Sequence, residues 1–428
     1  MTTDLPLRPA LVWRQNLRMR LAIVLTVCAA AVVIVAQPLA LPRAAPESVG
    51  LDSNRLKEAS GLLNQYVAEQ RIAGAVAAVA REGKVAYLDA IGFQNLESRA
   101  PMTERSLFRI YSMTKAVTAV SAMILHEQGK FDLRDPVTKH LPDFRAVRVL
   151  VEPGGQSRPP EREMTVADLL LHTSGLSHRT SELYRNAKVR SRHSTLPQFI
   201  TNIVRAPLME DPGTRYRYSE ATTVVGRLIE IWSGTPLDVF MRERVFAPLG
   251  MVDTAFWVEP GQRARLTTVY AAQAGGGLRP YEIEEVPFSE RPALLEGAVG
   301  LVSTVPDFMR FGQMLLNRGE LNGLRILSPK TVDLITANGL SESVLRLRGG
   351  GMGWGLANVN VVVDPSAMPA SPNVGEYGWN GSAGTVFWID PKDKMVTVLM
   401  TQSSPANPDS LAQRFKALVS AARRGSAQ

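Results

Sequence analysis

Phe108-Arg109-Ile110-Tyr111-Ser112-Met113-Thr114-Lys115, running on into Ala116-Val117-Thr118-Ala119-Val120, is the stretch that decides what this chain is. Met113, Ala116, Val117, Val120 and Ile124 recur at helical spacing, and the pattern stops at Gly129. Ser112 and Lys115 therefore fall on one helix face, with Cβ atoms roughly 5–6 Å apart, so the amine reaches the hydroxyl. Ser112 also opens the helix, where free backbone N–H groups and the positive end of the dipole favour a developing oxyanion. An unpaired ammonium inside so apolar a helix is costly, which argues against a solvated surface lysine. This is the only S-x-x-K in the chain, but with 28 Ser and 10 Lys chance supplies about as many. Position, not the tetrapeptide, carries the argument.

Outward from this helix the pattern is that of a split α/β unit. Ahead of it, Ser53 is placed to cap a helix bearing Leu56, Leu63, Tyr66 and Val67, and Ala75–Ala80 and Val85–Ile91 flank the turn Arg81-Glu82-Gly83-Lys84. Strand signals return at Asn358–Val363, Thr385–Ile389 and Met395–Thr401, and a closing helix follows with Asn407 as cap and Pro408 at its first position. Between them, residues 132–290 are rich in Pro, Gly and Arg, with helical patterns at Val166–Leu171, Ala221–Trp232 and Leu237–Phe246. The expected architecture is an antiparallel sheet built from both chain ends with flanking helices, residues 46–131 and 291–428, holding a mainly helical insertion over 132–290.

Composition narrows the function. The chain has 428 residues, 45% hydrophobic and 21% charged, enough for a large core. A single Cys, no CxxC and no HExxH leave no recognisable zinc site, and no metal or other cofactor is implied. The net charge of +8 is concentrated at the termini: Arg8, Arg14, Arg18 and Arg20 near the start, and Arg414, Lys416, Arg423 and Arg424 near the end. The folded body is close to neutral, which excludes a nucleic-acid partner. All five His residues precede residue 194, and neither GxSxG, GxGxxG nor GxxxxGK[ST] occurs, so an α/β-hydrolase triad and a phosphate-cradling loop are both excluded. Arg14, Arg18 and Arg20 precede the apolar run Leu21–Ala36, the pattern of an export signal. Residues 1–45 are thus expected to direct the chain to the periplasm or cell envelope, either cleaved or retained as a membrane anchor. Cys28 reads as a small apolar residue of that run, since Val27 is too bulky for a lipoprotein site.

Three further stretches accompany Phe108–Lys115: Asp168-Leu169-Leu170-Leu171-His172-Thr173-Ser174-Gly175-Leu176, Pro212-Gly213-Thr214-Arg215-Tyr216-Arg217-Tyr218-Ser219, and Gly378-Trp379-Asn380-Gly381-Ser382-Ala383-Gly384. In this order, over about residues 48–420, the chain resembles the serine hydrolases related to class C β-lactamases, penicillin-recognising peptidases and the carboxylesterases of the same fold. The resemblance implies a β-lactamase/transpeptidase-like fold, with Ser112 as acylated nucleophile, Lys115 as its partner and Tyr218 as the tyrosine of the second motif. It also implies the backbone N–H groups of Ser112 and Ser382 as oxyanion donors beside Gly381, and a structural place for His172. A Ser hydroxyl needs an adjacent base, and an ordinary lysine amine, near 10.4, is protonated at neutral pH. The base is either a Lys115 whose charge burial disfavours or a Tyr218 phenolate held by a charged Lys115. The sequence leaves both open.

Two departures from the family pattern bear on substrate. Trp379 stands where lactamases and peptidases usually carry Lys or His, and Glu220 where the second motif commonly has Asn. A neutral indole cannot give a substrate carboxylate a charge-assisted bond, and an ionised Glu220 facing the pocket would repel it. The expectation is a hydrolase cleaving small-molecule esters, with a β-lactamase or D-amino-acid peptidase acting on amides as the alternative. A membrane-tethered sensor or scaffold, acylated slowly and not turned over, is the reading from a different class.

Overall fold

Gly74–Arg81, with the sequence GAVAAVAR, is buried on both sides along nearly its whole length, and its small residues let helices approach the sheet from either face. In the computed structural model, residues 1–2, 40–152, 155–367, 371–406 and 408–423 are described. The chain divides into Met1–Pro38 and Leu39–Gln428, and the elements of the fold belong to the second unit. The export signal read over residues 1–45 lies mostly outside the described residues, Cys28 included, and so does Asn407. Among the described residues no helix is long and apolar enough to cross a membrane.

Helix α1 (Ser53–Ala68) is capped one residue earlier than the sequence suggests. Asp52, in extended conformation, accepts from the N–H groups of Asn54 at 2.8 Å and Arg55 at 3.2 Å, and Ser53 is the first helical residue. Strands β1 (Gly74–Arg81) and β2 (Lys84–Asn95) form the expected hairpin, with β3 (Ala100–Pro101) at the edge. Then come α2 (Thr114–Glu127), α3 (Ala221–Ser233) and α4 (Val305–Leu316). Strands β4 (Met352–Gly355), β5 (Val359–Val362), β6 (Tyr377–Gly381), β7 (Thr385–Asp390) and β8 (Met395–Thr401) follow, and α5 (Leu411–Ala421) closes the fold. Instead of beginning the closing helix, Pro408 begins a 3₁₀ turn (Pro408–Ser410), and Ser410, at φ 58°, leads into α5.

These strands form one antiparallel sheet in the order β4-β5-β6-β7-β8-β1-β2-β3. The last strand lies beside the first, with Ala75 opposite Thr401 and Arg81 opposite Met395, so both ends of the chain build the sheet as expected. Period-2 alternation sends Ala75, Ala77 and Val79 to a core shared with Leu63 of α1 and Phe415 of α5. Val76, Ala78 and Ala80 face the opposite core, with Val117 of α2 and Phe308 of α4.

Over residues 132–290 there are short helices and long loops. Leu237–Phe246 is not one regular helix, because Leu237–Met241 widens into a π turn at Arg242–Phe246. Nor is the region helical throughout. Tyr270–Ala272 pairs with Leu278–Pro280 and, in parallel, with Ser403–Ser404, which ties its last part to the C-terminal segment.

Candidate active site

Ser112 does not sit in the first regular turn of α2 but in a 3₁₀ turn, Tyr111–Met113, that runs directly into it. Tyr111, at φ 41°, holds a left-handed conformation unusual for an aromatic residue, and this bend leaves Ser112 partly exposed at the helix mouth. Lys115, one turn on, is fully buried. Its Nζ lies 3.4 Å from Ser112 Oγ and donates to the Ala298 carbonyl at 3.0 Å. The Tyr218 ring covers the ammonium, with its centroid 4.6 Å from Nζ. Ser112, Lys115 and Tyr218, more than a hundred residues apart at the extremes, thus meet at one point.

Tyr218 belongs to the loop leading to α3, three residues ahead of its first residue, and does not open the helix. Its hydroxyl accepts the Trp379 indole N–H at 3.1 Å, and the two rings are tilted at 5.2 Å. Trp379 is therefore not a core aromatic but part of the site wall. His172, fully buried at φ 55°, lies 4.8 Å from the Tyr218 ring and 3.1 Å through Nδ1 from Ser219 Oγ. Burial, with the Lys115 charge adding to it, pushes the imidazole well below its ordinary value. His172 thus packs against the loop that carries Tyr218 and Ser219.

Strand β6 brings Gly381 against the Ser112 turn. A Cβ at this position would overlap the Ile110 carbonyl oxygen and the Thr385 hydroxyl, so only glycine permits the approach. Ser382 follows in the exposed β6–β7 turn, and its N–H has no acceptor among the described residues. Glu220 follows Tyr218 and Ser219 where α3 begins. It is the N-cap residue of α3, fully buried, with no capping bond from its side chain; Oε2 accepts weakly from Thr223 Oγ1 at 3.4 Å and Oε1 has no partner among the described residues. Its charge acts on His178, where it opposes the burial that lowers the ring below its ordinary value.

His178 is a neighbour that the sequence does not single out. Its ring stacks on Tyr218 at 5.7 Å and 28°, on the approach to the site. Trp354 is another: its ring meets Trp379 edge-on at 4.6 Å, and its N–H donates to the Leu170 carbonyl at 3.1 Å. Both lie in stretches without a motif, so only the fold reveals them. A second Ser–Lys contact, Ser371 with Lys416, lines a cavity of about 240 Å³ behind β6 and β7 that does not reach Ser112. There Glu376 takes the Lys416 ammonium into an ion pair, so that lysine has no free amine to offer. Among the described residues no group of three or more His, Cys, Asp or Glu side chains could hold a metal.

An antiparallel sheet between helical layers, with Ser112 and Lys115 in contact at a helix mouth beside a glycine-bearing strand end, is the arrangement of a serine hydrolase. The chain belongs to the beta-lactamase family, whose model matches residues 59–422. It is 33% identical over 352 residues to protein Rv1367c of Mycobacterium tuberculosis, an alignment covering 78% of this chain and 86% of that one. It is 28% identical to esterase EstB of Burkholderia gladioli, covering 84% and 93%. Among solved structures it resembles EstCE1, a hydrolase with promiscuous acyltransferase activity, with TM-score 0.76 and 27% identity, covering 87% of this chain and 99% of that one.

Proposed function

We propose that this chain is an exported serine hydrolase that cleaves small carboxylic esters through an acyl-enzyme on Ser112. Ser112 Oγ attacks the ester carbonyl and its proton passes to the Lys115–Tyr218 unit. The N–H groups of Ser112 and Ser382 receive the oxyanion, and the alcohol departs with the proton. Water then gives a proton to the same unit and attacks the acyl-enzyme; as the Oγ–acyl bond breaks, that proton returns to Ser112 Oγ and the carboxylic acid leaves. The N-terminal pattern of basic residues followed by an apolar run supports export. The name of esterase EstB, aligned over most of both chains, supports the ester as substrate.

The observation that carries the ester reading is the 3.1 Å bond from Trp379 Nε1 to the Tyr218 hydroxyl. It uses the one polar hydrogen of the indole internally, so the third-motif position offers a substrate carboxylate neither a cation nor a free donor. A neutral ester loses nothing by this, and the indole face favours an apolar acyl group, each buried CH₂ contributing about 0.8 kcal/mol. A short-chain p-nitrophenyl ester, butyrate or shorter, is therefore expected to exceed nitrocefin in kcat/KM by at least about 10²-fold, or ~2.7 kcal/mol. Steady-state kinetics on protein beginning near Ala45 checks this. Comparable values would replace the esterase reading with a lactamase one. A burst of product without sustained turnover would favour a sensor.

A further inference from the structure

Beside the site, between residues 178–192 and 282–296, lies an ionic cluster that the reaction above does not use. Arg190 is clamped by buried carboxylates: Nε and Nη2 donate to the two oxygens of Glu296 at 2.5 and 2.7 Å, and Nη2 also to Glu284 at 2.5 Å. Two residues on, Arg192 is only 1% exposed. Its guanidinium lies 4.2 Å over the Phe288 ring, and none of its three nitrogens finds an acceptor among the described residues. The Tyr111 hydroxyl is likewise buried without a hydrogen-bond partner there, while Arg179 Nη1 and Glu284 Oε1 face each other as an ion pair at 3.7 Å. Buried polar atoms are rarely left unpaired, because each costs about 1–3 kcal/mol, so Arg192 and Tyr111, both without a hydrogen-bond partner among the described residues, mark this cluster as one able to receive polar ligand atoms.

In front of this cluster opens a cavity of about 580 Å³, with Arg179, Arg185, Lys188 and Arg190 on its walls against Glu284 and Glu285. Both carboxylates are already engaged: Glu284 by Arg190, and Glu285 by the Ser191 hydroxyl at 2.7 Å and the Arg192 N–H. Arg185 and Lys188 are exposed and form no ion pair among the described residues, and Arg179 Nη1 stands in a long ion pair, 3.7 Å from Glu284, with no hydrogen bond closing it. The cavity therefore presents an excess of positive charge. Two segments connect this cavity to the catalytic site. Arg179 follows His178, which stacks on Tyr218, and Glu296 lies two residues before Ala298, whose carbonyl holds Lys115. The Tyr111 hydroxyl, next to the nucleophile in sequence, lies within the fields of Glu284 and Arg179.

We propose that the ester substrate carries a carboxylate on an arm remote from the scissile bond, and that Arg179, Arg185 and Lys188 bind it in this cavity. The proposal rests on the ester reading and narrows it. It differs from recognition of a β-lactam carboxylate, which sits close to the scissile ring, whereas none of Ser112, Lys115 and Tyr218 lines this cavity.

The test uses p-nitrophenyl hemiesters of adipic, suberic and sebacic acids, each compared with the same compound methylated at its distal carboxyl. At one or more of these lengths the anionic form is expected to exceed its neutral partner in kcat/KM by about tenfold or more. The ratio should collapse toward one in the Arg185→Gln/Lys188→Gln double variant and fall as added salt screens the charges. Hydrolysis of the neutral esters with a ratio of one or below at every length overturns the carboxylate site and leaves the ester reading standing. A high ratio unmoved by the double variant and by salt also overturns it, because the preference then arises elsewhere. Failure to hydrolyse any of these esters, neutral or anionic, overturns the ester reading and this proposal with it.

Discussion

Ser112→Ala is expected to lower kcat/KM for p-nitrophenyl butyrate by at least about 10³-fold, ~4 kcal/mol, and to abolish labelling by a fluorophosphonate. Among the described residues Ser112 is the one serine at a helix mouth with a fully buried lysine amine 3.4 Å from its hydroxyl. The other Ser–Lys contact, Ser371–Lys416, is neutralised by Glu376 and cannot take over. Only the hydroxyl is lost, from a partly exposed side chain, so the melting temperature should move little. Activity above a few per cent in a correctly folded variant would place the nucleophile elsewhere.

The second large effect concerns Lys115 and Tyr218. The ammonium over the phenol ring, 4.6 Å from its centroid, and the buried position of Lys115 make the two one electrostatic unit. Tyr218→Phe keeps the ring against Trp379 and His178 and removes only the hydroxyl, while Lys115→Met keeps the volume and removes the charge. Each is expected to cost about 10³-fold in kcat, and the double variant no more than about tenfold beyond the worse single, since members of one catalytic unit are not additive. A double variant slower by the product of the two losses, about 10⁶-fold, would show that they act independently. Lys115→Met should not destabilise the fold severely, because an apolar side chain of similar volume often replaces a buried charge at little cost.

The parts of the fold that are legible in the sequence obey local rules. The helix over Thr114–Glu127, the β1–β2 hairpin and the strands over 385–401 rest on helical or period-2 spacing within a single segment, and all three are where that spacing puts them, with Ser112 in the 3₁₀ turn that leads into the helix. Strand β4 escapes such a reading because Met352-Gly353-Trp354-Gly355 is half glycine and its partner β5 alone supplies the β-branched residues. Helix α4 escapes it even though Thr304 caps it and Pro306 stands in its first turn, signals that precede a less regular apolar pattern. The burial of Glu220 is not legible either, because a carboxylate at a helix start is favourable on dipole grounds in an exposed position, and only the packing of α3 encloses it. The Arg190–Glu296 and Trp379–Tyr218 contacts join residues 106 and 161 positions apart, a separation that no local pattern reveals.

Mass spectrometry of protein quenched during steady turnover of p-nitrophenyl butyrate tests the acyl-enzyme on Ser112 most directly. The expected result is a butyryl group on the peptide Ile110–Lys115, at Ser112, which forms and decays at rates that account for turnover and is absent from Ser112→Ala. Sustained hydrolysis with no adduct on that peptide, or with the acyl group on another residue, would contradict it.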